Sequence, residues 1–475
     1  MTADDTGIVE PIADVDPVRS ALDPDGSLRD LAGDCVHCGF CLPACPTYQL
    51  WGEEMDSPRG RIHLLTQILD GAQGSAAAAE HFDRCLGCMA CVTACPSGVQ
   101  YDQLIEAARG WGEPAEGQQA RTPAPLPARS LRDRVVRAAI FATFPYPSRL
   151  RAALRPLRAV QRTGLDRLAA RSALLRRVAP EAAAALAVAP APPHAGRRVG
   201  VIGRSRHEMP SPAVPRRLPA RVPARGERRA VVGMLSGCVQ QVLFPQVNTA
   251  TARVLSAEGC DVIVPPRQGC CGALSLHGGR RAEAAGFARA TIEAFERAGV
   301  DAVIVNAAGC GSAMKEYGHL LASDQDWAGR AAAFSAKVRD FSEFLAELGP
   351  VAPRAELPVT AAYHDACHLG HAQRITAQPR ALLRGVPGLV LAEVADAGTC
   401  CGSAGIYNLV QPEAAAELGE RKARAVAATS ADVLVSANPG CSLQIAQALA
   451  AAGRPMPVAH VAEVLDASIR GRALI

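Results

Sequence analysis

The sequence predicts an α/β protein with a mainly helical amino-terminal domain followed by two tandem α/β domains. Three observations support this prediction. Eight of the 17 cysteines precede residue 96 in two equally spaced runs, and the other nine follow residue 237. A Cys-Cys-Gly motif occurs twice among those nine. Short apolar runs typical of buried strands come before most cysteines of this second group.

Length and composition indicate a globular protein with several buried cores. The chain has 475 residues, of which 49% are hydrophobic and 20% charged, and its net charge of +4 disfavours a dedicated nucleic-acid-binding protein. No stretch approaches the ~18 apolar residues of a membrane span, and residues 1–16 lack a secretory signal. We therefore expect a cytoplasmic protein whose cysteines are metal ligands or redox groups rather than disulfides.

The amino-terminal cysteines have the spacing of iron–sulfur ligands. Both runs follow the pattern C-x2-C-x2-C-x3-C-P of bacterial two-cluster ferredoxins. Three thiolates on one tight loop can reach three irons of a cube, and a more distant fourth completes the set. The runs consist of Cys35, Cys38, Cys41 and Cys45, and of Cys85, Cys88, Cys91 and Cys95. The sequence therefore predicts a ferredoxin-like domain with two [4Fe–4S] clusters.

In this arrangement the fourth cysteine of each run binds the cluster of the other run. A zinc site is a weak alternative, because zinc would need only four cysteines in two C-x2-C pairs. We therefore expect a first cluster bound by Cys35, Cys38, Cys41 and Cys95, and a second bound by Cys85, Cys88, Cys91 and Cys45.

A helix is predicted between the two runs. Ser57 is a suitable N-cap, Pro58 suits the first turn, and Gly71 suits the carboxyl-terminal stop. Apolar residues recur at helical spacing in between, so the helix has a buried face. Arg59 and Arg61 on this helix could offset the negative charge of thiolate-bound clusters, or simply be solvated on the surface.

The middle of the chain is strongly basic. Residues 121–230 contain 24 arginines and no lysine against five acidic residues. Repeated apolar residues predict helix in the range 132–178, and the range 180–223 is an Ala/Pro/Arg-rich connector. Such a segment could dock on an acidic partner, on an anionic membrane surface as a peripheral contact, or on the chain's own acidic domains. A solvated linker is the simpler alternative.

The second group of cysteines forms an internal repeat. One copy contains Cys238, Cys270, Cys271 and Cys310, and the other contains Cys367, Cys400, Cys401 and Cys441. Successive intervals are 32, 1 and 39 residues in the first copy and 33, 1 and 40 in the second. This similarity predicts a duplicated domain, called here the CCG domain. Cys260 has no counterpart and is predicted to be a core thiol.

Most of these cysteines are predicted at the carboxyl end of a strand and the start of a helix, where open α/β sheets bind ligands. The four predicted strands cover residues 230–235, 301–305, 359–363 and 432–435. Each copy supplies four thiols, which suit a further iron–sulfur cluster, a zinc ion or a redox disulfide. His364, His368 and His371 flank Cys367, and one of them could replace a thiolate, although surface positions are the simpler expectation.

These signals divide the chain into five parts. We predict a flexible amino terminus at 1–25, the helical two-cluster domain at 26–112 and the basic connector at 113–228. The first CCG domain is predicted at 229–349 and the second at 350–475.

Paired ferredoxin runs followed by two Cys-Cys-Gly domains resemble the heterodisulfide-reductase-related family of iron–sulfur subunits. Several local segments are most similar to the iron–sulfur subunits of glycolate oxidase. They are Cys45-Pro-Thr-Tyr-Gln-Leu50, Ser57-Pro-Arg-Gly-Arg61, Asp83-Arg-Cys85-Leu86, Lys315-Glu-Tyr-Gly318 and Cys400-Cys-Gly-Ser-Ala-Gly405. The heterodisulfide reductase pattern ends each CCG domain in C-x2-C, whereas Ala313 and Gln444 occupy the corresponding positions here. This difference disfavours disulfide-cleaving chemistry.

The resemblance implies an electron-transfer subunit with no catalytic residue of its own. A partner flavin subunit would oxidise glycolate, and the clusters would pass electrons to an acceptor such as a quinone. In agreement, no G-x-G-x-x-G motif follows a strand. The alternatives are a heterodisulfide-reductase-like thiol–disulfide reductase subunit, the iron–sulfur subunit of anaerobic glycerol-3-phosphate dehydrogenase, and a zinc-bound assembly scaffold.

Overall fold

The computed structural model describes residues 22–23, 25–72, 74–113, 126–163, 177, 186 and 218–474. The predicted flexible amino terminus lies largely outside these residues, as do most of the predicted Ala/Pro/Arg-rich connector and most of the predicted helix beyond residue 163. The divisions between domains therefore remain a proposal where they fall near these ranges.

Short helices around an apolar core form the amino-terminal domain. They are α1 Ser27–Gly33, α2 Pro46–Trp51, α3 Pro58–Leu69, α4 Ala76–Arg84, α5 Ala90–Ala94 and α6 Tyr101–Gly110. The predicted helix between the cysteine runs is confirmed as α3, and the Ser57 hydroxyl accepts the Gly60 N–H at 3.0 Å. Leu65 and Leu69 on its apolar face pack against Phe82 and Leu104. This core fixes the position of the loops that carry the cysteines.

In the described range 126–163, the basic segment forms two helices, α7 Leu131–Thr143 and α8 Pro147–Thr163. Arg129, just before α7, forms ion pairs with Asp83 and Glu113 of the amino-terminal domain. Arg137 on α7 also lies 3.5 Å from Asp83. Part of the basic segment therefore docks on the chain's own acidic groups, one of the outcomes that its charge predicts.

A five-stranded sheet forms the first CCG domain. Its strands are β1 Arg221–Val222, β2 Ala230–Met234, β3 Cys260–Ile263, β4 Ala302–Val305 and β5 Val338–Asp340, in the order β1-β3-β2-β4-β5. Only β1 is antiparallel to its neighbour. The helices are α9 Val239–Leu243, α10 Pro245–Ala257, α11 Ala273–His277, α12 Arg281–Glu296, α13 Ala308–Lys315, α14 Tyr317–Leu320, α15 Ala328–Lys337 and α16 Phe341–Leu348. Strand β1 lies within the range 113–228 predicted as connector, so this sheet begins earlier than the sequence suggests.

The second CCG domain repeats this architecture without the antiparallel strand. Its strands are β6 Thr360–His364, β7 Val390–Glu393, β8 Val433–Ser436 and β9 Val458–Ala459, all parallel in the order β7-β6-β8-β9. The helices are α17 Ala377–Arg384, α18 Tyr407–Val410, α19 Pro412–Ala427, α20 Pro439–Ala451 and α21 Val461–Ile469, with a π-helical turn at His368–Ala372. This order matches β3-β2-β4-β5, which confirms the predicted duplication.

The two CCG domains pack around a pseudo-twofold axis and share one core. Helix α10 of the first domain packs on α21 of the second, and their structural counterparts α17 and α16 pack in the same way. Apolar residues from both sheets, including Val232, Ile304, Tyr363 and Val435, belong to one continuous buried cluster. Cys260 also lies in this cluster, as predicted for a core thiol.

The amino-terminal domain sits against both CCG domains. Arg109 donates to the His277 carbonyl at 2.8 Å, and the Glu106 carboxylate lies 3.0 Å from His277 Nδ1. Thr93 Oγ1 is 2.9 Å from His371 Nδ1 in the second CCG domain. These contacts bring the cysteine runs of the first domain close to the Cys-Cys-Gly motifs.

Candidate metal centres

The two ferredoxin runs adopt the same local conformation. In each run the third and fifth residues have positive φ, which are His37 and Gly39 in the first run and Gly87 and Met89 in the second. Left-handed residues at these two places turn the backbone tightly, as a loop around a metal cluster requires. In the second run the Gly87 N–H donates to the Cys85 sulfur at 3.3 Å.

Cys45 lies near the cysteines of the second run as well as near Cys41 of its own run. Burial raises the pKa of Cys91 well above its usual range, and Cys88, Cys85 and Cys45 raise it further. The same proximity holds for Cys88, whose pKa is raised by burial, by Cys367 and by Cys45. Four sulfurs of the predicted second cluster are therefore neighbours, which fits the predicted exchange of the fourth ligand.

The predicted first cluster lies nearer the surface. Cys38 is exposed, whereas Cys35, Cys41 and Cys95 are partly buried. These three partly buried cysteines pack against the same apolar core. Burial raises the pKa of Cys41, and the neighbouring Cys35 and Cys45 raise it further.

Positive groups surround Cys85. Burial raises its pKa, but Arg61 and Arg109 lower it more, so that the pKa of Cys85 falls below its usual range. The Tyr101 hydroxyl donates to its sulfur at 3.7 Å. Arg61 is only 1% exposed, and burial disfavours its charge, yet nearby Cys85 and other groups raise its pKa overall. The sequence marked Arg61 as a candidate but gave no sign of Arg109 or Tyr101.

Four sulfurs also gather in the first CCG domain. The Cys238 and Cys270 sulfurs are 3.5 Å apart, and this contact together with burial raises the pKa of Cys238 well above its usual range. Cys271 interacts with both Cys270 and Cys310. The Tyr317 hydroxyl donates to the Cys271 carbonyl at 2.6 Å and so holds the Cys-Cys turn.

The second CCG domain groups its four cysteines in the same way. Cys400 interacts with Cys367 and Cys401, and Cys401 interacts with Cys441. Lys422 is buried nearby, and its Nζ donates to the carbonyls of Asp396 and Ala397 at 2.7 and 3.1 Å. Burial lowers the pKa of Lys422, and the neighbouring thiols Cys401 and Cys400 act against this lowering. This site therefore has a cation beside its sulfurs.

The donor chemistry of these groups fits thiolate-bound metal. All 17 cysteines lie in the described part of the chain, and each is a free thiol. Most are buried in groups of four, and in Cys88 and Cys91, for example, neighbouring sulfurs add to burial in opposing ionisation. A bound cation relieves this opposition, since metal ions deprotonate thiols and take thiolates as ligands.

Comparison with known proteins gives matches to every domain. The family model for a 4Fe-4S dicluster domain matches residues 32–99, and the cysteine-rich domain model matches residues 232–315 and 361–446. A model for the glycolate oxidase iron-sulfur subunit linker region matches residues 132–188. This last model covers part of the basic segment, whose composition alone suggested no specific family.

Curated relatives extend these matches over most of the chain. The chain is 39% identical over 417 residues to the probable glycolate oxidase iron-sulfur subunit of Bacillus subtilis, covering 87% of this chain and 88% of that protein. It is 35% identical over 454 residues to the glycolate oxidase iron-sulfur subunit of Escherichia coli, covering 94% and 96%. The chain belongs to the family of glycolate oxidase iron–sulfur subunits. Lactate utilization protein A of Exiguobacterium, 32% identical, covers only 50% of the chain.

Membership of the glycolate oxidase iron–sulfur subunit family establishes the general role. The chain carries iron–sulfur clusters, transfers electrons, and works with other subunits in an oxidoreductase complex. Within the described residues, no helix combines the length and apolarity needed to cross a membrane.

A glycine after each Cys-Cys pair allows close helix packing. Gly402 has φ +86°, and a Cβ atom there would lie 2.6 Å from the Ala415 carbonyl oxygen. Gly272 has φ +81° and an equivalent approach of 3.0 Å to the Ala284 oxygen. The Cys-Cys turn therefore rests directly on the backbone of α19 or α12.

We expect Gly402→Ala to displace Cys401 and to reduce the metal content of the second CCG site. The cause is a clash with backbone, which a side-chain rotation cannot relieve. Metal analysis and thermal unfolding of the variant would measure the effect. Gly453→Ala is the matched control, since Gly453 also has positive φ but open space around it. It should carry backbone strain of only about 1–2 kcal/mol and retain full metal content. Equal metal content in the two variants would contradict the prediction.

A cavity lies where the three domains of this family member meet. Met89 and Val92, beside the second-run cysteines, line it together with His277 and Glu316. Burial and then Glu106 raise the pKa of Asp102 at its edge. Burial also raises the pKa of Glu316. The cavity thus combines apolar surface with groups that can exchange protons.

Proposed function

We propose that this chain receives electrons from a flavin-containing subunit that oxidises glycolate and delivers them to a quinone. Glycolate dehydrogenase chemistry would then take place on the partner flavin, and this chain would supply no catalytic residue. When bound, the clusters accept and release single electrons. The observation that carries this proposal is the contact between Cys88 of the ferredoxin-like domain and Cys367 of the second CCG domain, because it makes two metal-binding groups neighbours.

The contact between these two sites is buried and apolar. Leu86, Cys88 and Ala90 pack against Cys367, Cys400 and Tyr407 in one cluster. Burial in low dielectric shields the sites from water and lets neighbouring charges act on them strongly. This packing supports a continuous electron route within one chain, from the surface cluster towards the CCG domains.

We assign the ligands as the sequence predicts. Cys35, Cys38, Cys41 and Cys95 would bind the first [4Fe–4S] cluster, and Cys85, Cys88, Cys91 and Cys45 the second. Two further sets would bind a cluster or zinc, namely Cys238, Cys270, Cys271 and Cys310, and Cys367, Cys400, Cys401 and Cys441. The neighbouring positions of Cys45, Cys85, Cys88 and Cys91 support the second assignment.

The cavity between the domains supports a small acceptor such as a quinone. Reduction of a quinone to a quinol takes two electrons and two protons, and the cavity wall offers both apolar contact and acidic groups. The Glu106–His277 pair on this wall could pass protons from solvent. We place the chain in the cytoplasm, where thiols stay available as metal ligands, with the quinone reached at the membrane surface.

Disulfide-cleaving chemistry has less structural support. The second cysteine of the C-x2-C ending would be a fifth thiol of the domain, and Gln444 occupies its position. The Gln444 amide donates to the Ala415 carbonyl at 2.9 Å and accepts from Asn408 at 3.2 Å. Its side chain is therefore engaged away from the sulfurs. Ala313 occupies the same position in the first CCG domain, and its methyl side chain cannot bind a metal or take part in thiol chemistry.

The proposal predicts that the purified chain alone will not oxidise glycolate. Oxidation should appear only when the flavin subunit is added, and quinone reduction should then require this chain. Anaerobic iron analysis should give about eight irons for two clusters, and about twelve or more if a CCG site also holds one. An iron-free chain, or glycolate turnover by the chain alone, would overturn the proposal.

A further inference from the structure

His364 is a buried histidine that lies beside the Cys401 thiol. It occupies the last position of β6, is 1% exposed, and neither ring nitrogen forms a hydrogen bond of normal geometry with any described residue. Leaving a buried polar group unpaired carries a desolvation penalty. Neither nitrogen has an oxygen or nitrogen partner among the described residues, and the polar group with which the His364 ring interacts is the Cys401 thiol.

Two sulfurs lie close to His364. A ring nitrogen of His364 and the sulfurs of Cys401 and Cys441 all lie within 4.8 Å of one another. Metal–nitrogen and metal–sulfur bonds of about 2.0–2.3 Å place two ligands of one metal up to about 4.6 Å apart. The three side chains are therefore close enough to one another to bind a common metal centre.

The first CCG domain shows that the fold does not require this histidine. Counting back three residues from Cys238, as from Cys367 to His364, gives Leu235, which is buried in an apolar cluster. The neighbouring cation also differs. Ala284 approaches Gly272 in the first domain, and Ala415 approaches Gly402 in the second, so these two alanines are equivalent. Seven residues after them lie Thr291 in the first domain and Lys422 in the second. The second site alone thus combines an imidazole with a buried lysine.

We propose that His364 is a nitrogen ligand of an iron–sulfur cluster in the second CCG domain. The inference rests on the proposed function for the presence of that cluster. His364 would take the place of the fifth thiol that Gln444 does not supply, whereas the first CCG site would bind metal through thiolates alone. Exchanging a thiolate for a neutral imidazole removes one negative charge and raises the reduction potential, as in Rieske centres.

The test is pulsed EPR on the full-length chain, produced anaerobically with 15N-labelled histidine. The reduced wild-type protein should show one strongly coupled 15N nucleus. His364→Cys should lose this coupling, keep its iron through the new thiolate, and lower the midpoint potential of the affected signal. Iron content is measured in parallel. An iron-free chain contradicts the proposed function, whereas an iron-loaded chain without coupled nitrogen contradicts only the assignment of His364.

Two neighbouring histidines provide the controls. His371→Gln should keep the coupling, because both His371 nitrogens already have partners, Thr93 Oγ1 and the Gly398 carbonyl, each at 2.9 Å. His368 Nδ1 lies 3.9 Å from the Cys367 sulfur and is the rival ligand. Coupling that survives in His364→Cys but disappears in His368→Gln would overturn the assignment, as would zinc in place of iron at the second site.

Discussion

Replacing Cys88 with serine is expected to stop electron delivery to the acceptor while glycolate still reduces the partner flavin. Cys88 is buried against Cys367 at the contact between the ferredoxin-like and second CCG domains. A serine hydroxyl there is a poor ligand for iron and leaves the proposed second cluster incomplete. Changes to residues that merely support metal ligands cost 10–100-fold, so loss of a ligand should reduce acceptor reduction by more than about 100-fold.

Stopped-flow spectroscopy of the assembled complex separates the two steps. Flavin bleaching by glycolate should keep its wild-type rate in Cys88→Ser, and the following reoxidation by quinone should be lost. Cys260→Ser is the matched control, since Cys260 is equally buried but lies in the apolar core of the CCG domains, where burial raises its pKa to about 11. This control should cost stability and leave both steps intact. Loss of flavin reduction in Cys88→Ser would argue against a purely electron-transferring role.

Features encoded by local spacing could be predicted from the sequence. The ferredoxin runs, the helix beginning at Ser57 and the duplicated intervals between cysteines depend on residues close together in the chain. The four predicted strands are likewise found as β2, β4, β6 and β8, each with a boundary shifted by about one residue. Periodicity and turn residues determine such elements, so the fold class followed from them.

Features that depend on long-range packing could not be predicted. Cys88 and Cys367 are far apart in the sequence. They meet because α5, which follows Cys88, packs against the π-helical turn, which follows Cys367. The sequence also gave no reason to separate His364 from His368 and His371, because all three flank the same cysteine. Their different surroundings become visible only in the structure. His371 has two hydrogen-bond partners, His368 lies near the Cys367 sulfur, and His364 lies near the sulfurs of Cys401 and Cys441.

The basic segment illustrates the same limit. Its charge was compatible with a membrane, a partner or the chain itself. The structure resolves part of this choice, since Arg129 and Arg137 contact Asp83 in the amino-terminal domain. Helix α7 then packs Phe141 against Ile406 of the second CCG domain. The described part of the segment therefore acts as an internal brace between domains.

Replacing Arg61 with methionine is expected to destabilise the amino-terminal domain by about 3–5 kcal/mol. Arg61 forms an ion pair at 3.3 Å with Asp56, which is 0% exposed, and it donates to the Thr47 hydroxyl and the His81 carbonyl. Methionine fills similar space but leaves the Asp56 charge with only His81 and Arg84 as partners. Chemical denaturation followed by cluster absorbance would measure the loss.

The matched control for this variant is Arg29→Met, which removes an ion pair to Asp70 whose side chains are 46% and 56% exposed. Exposed pairs contribute about 0–1 kcal/mol, so this control should remain near wild type. Arg61 also lies beside Cys85 and Cys45, and its positive charge should stabilise the reduced, more negative form of the second cluster. The midpoint potential of that cluster should therefore fall in Arg61→Met and change little in Arg61→Lys, which keeps the charge. A potential unchanged in Arg61→Met would show that Arg61 acts only through folding, because removing a nearby buried charge cannot leave the cluster's electrostatic environment the same.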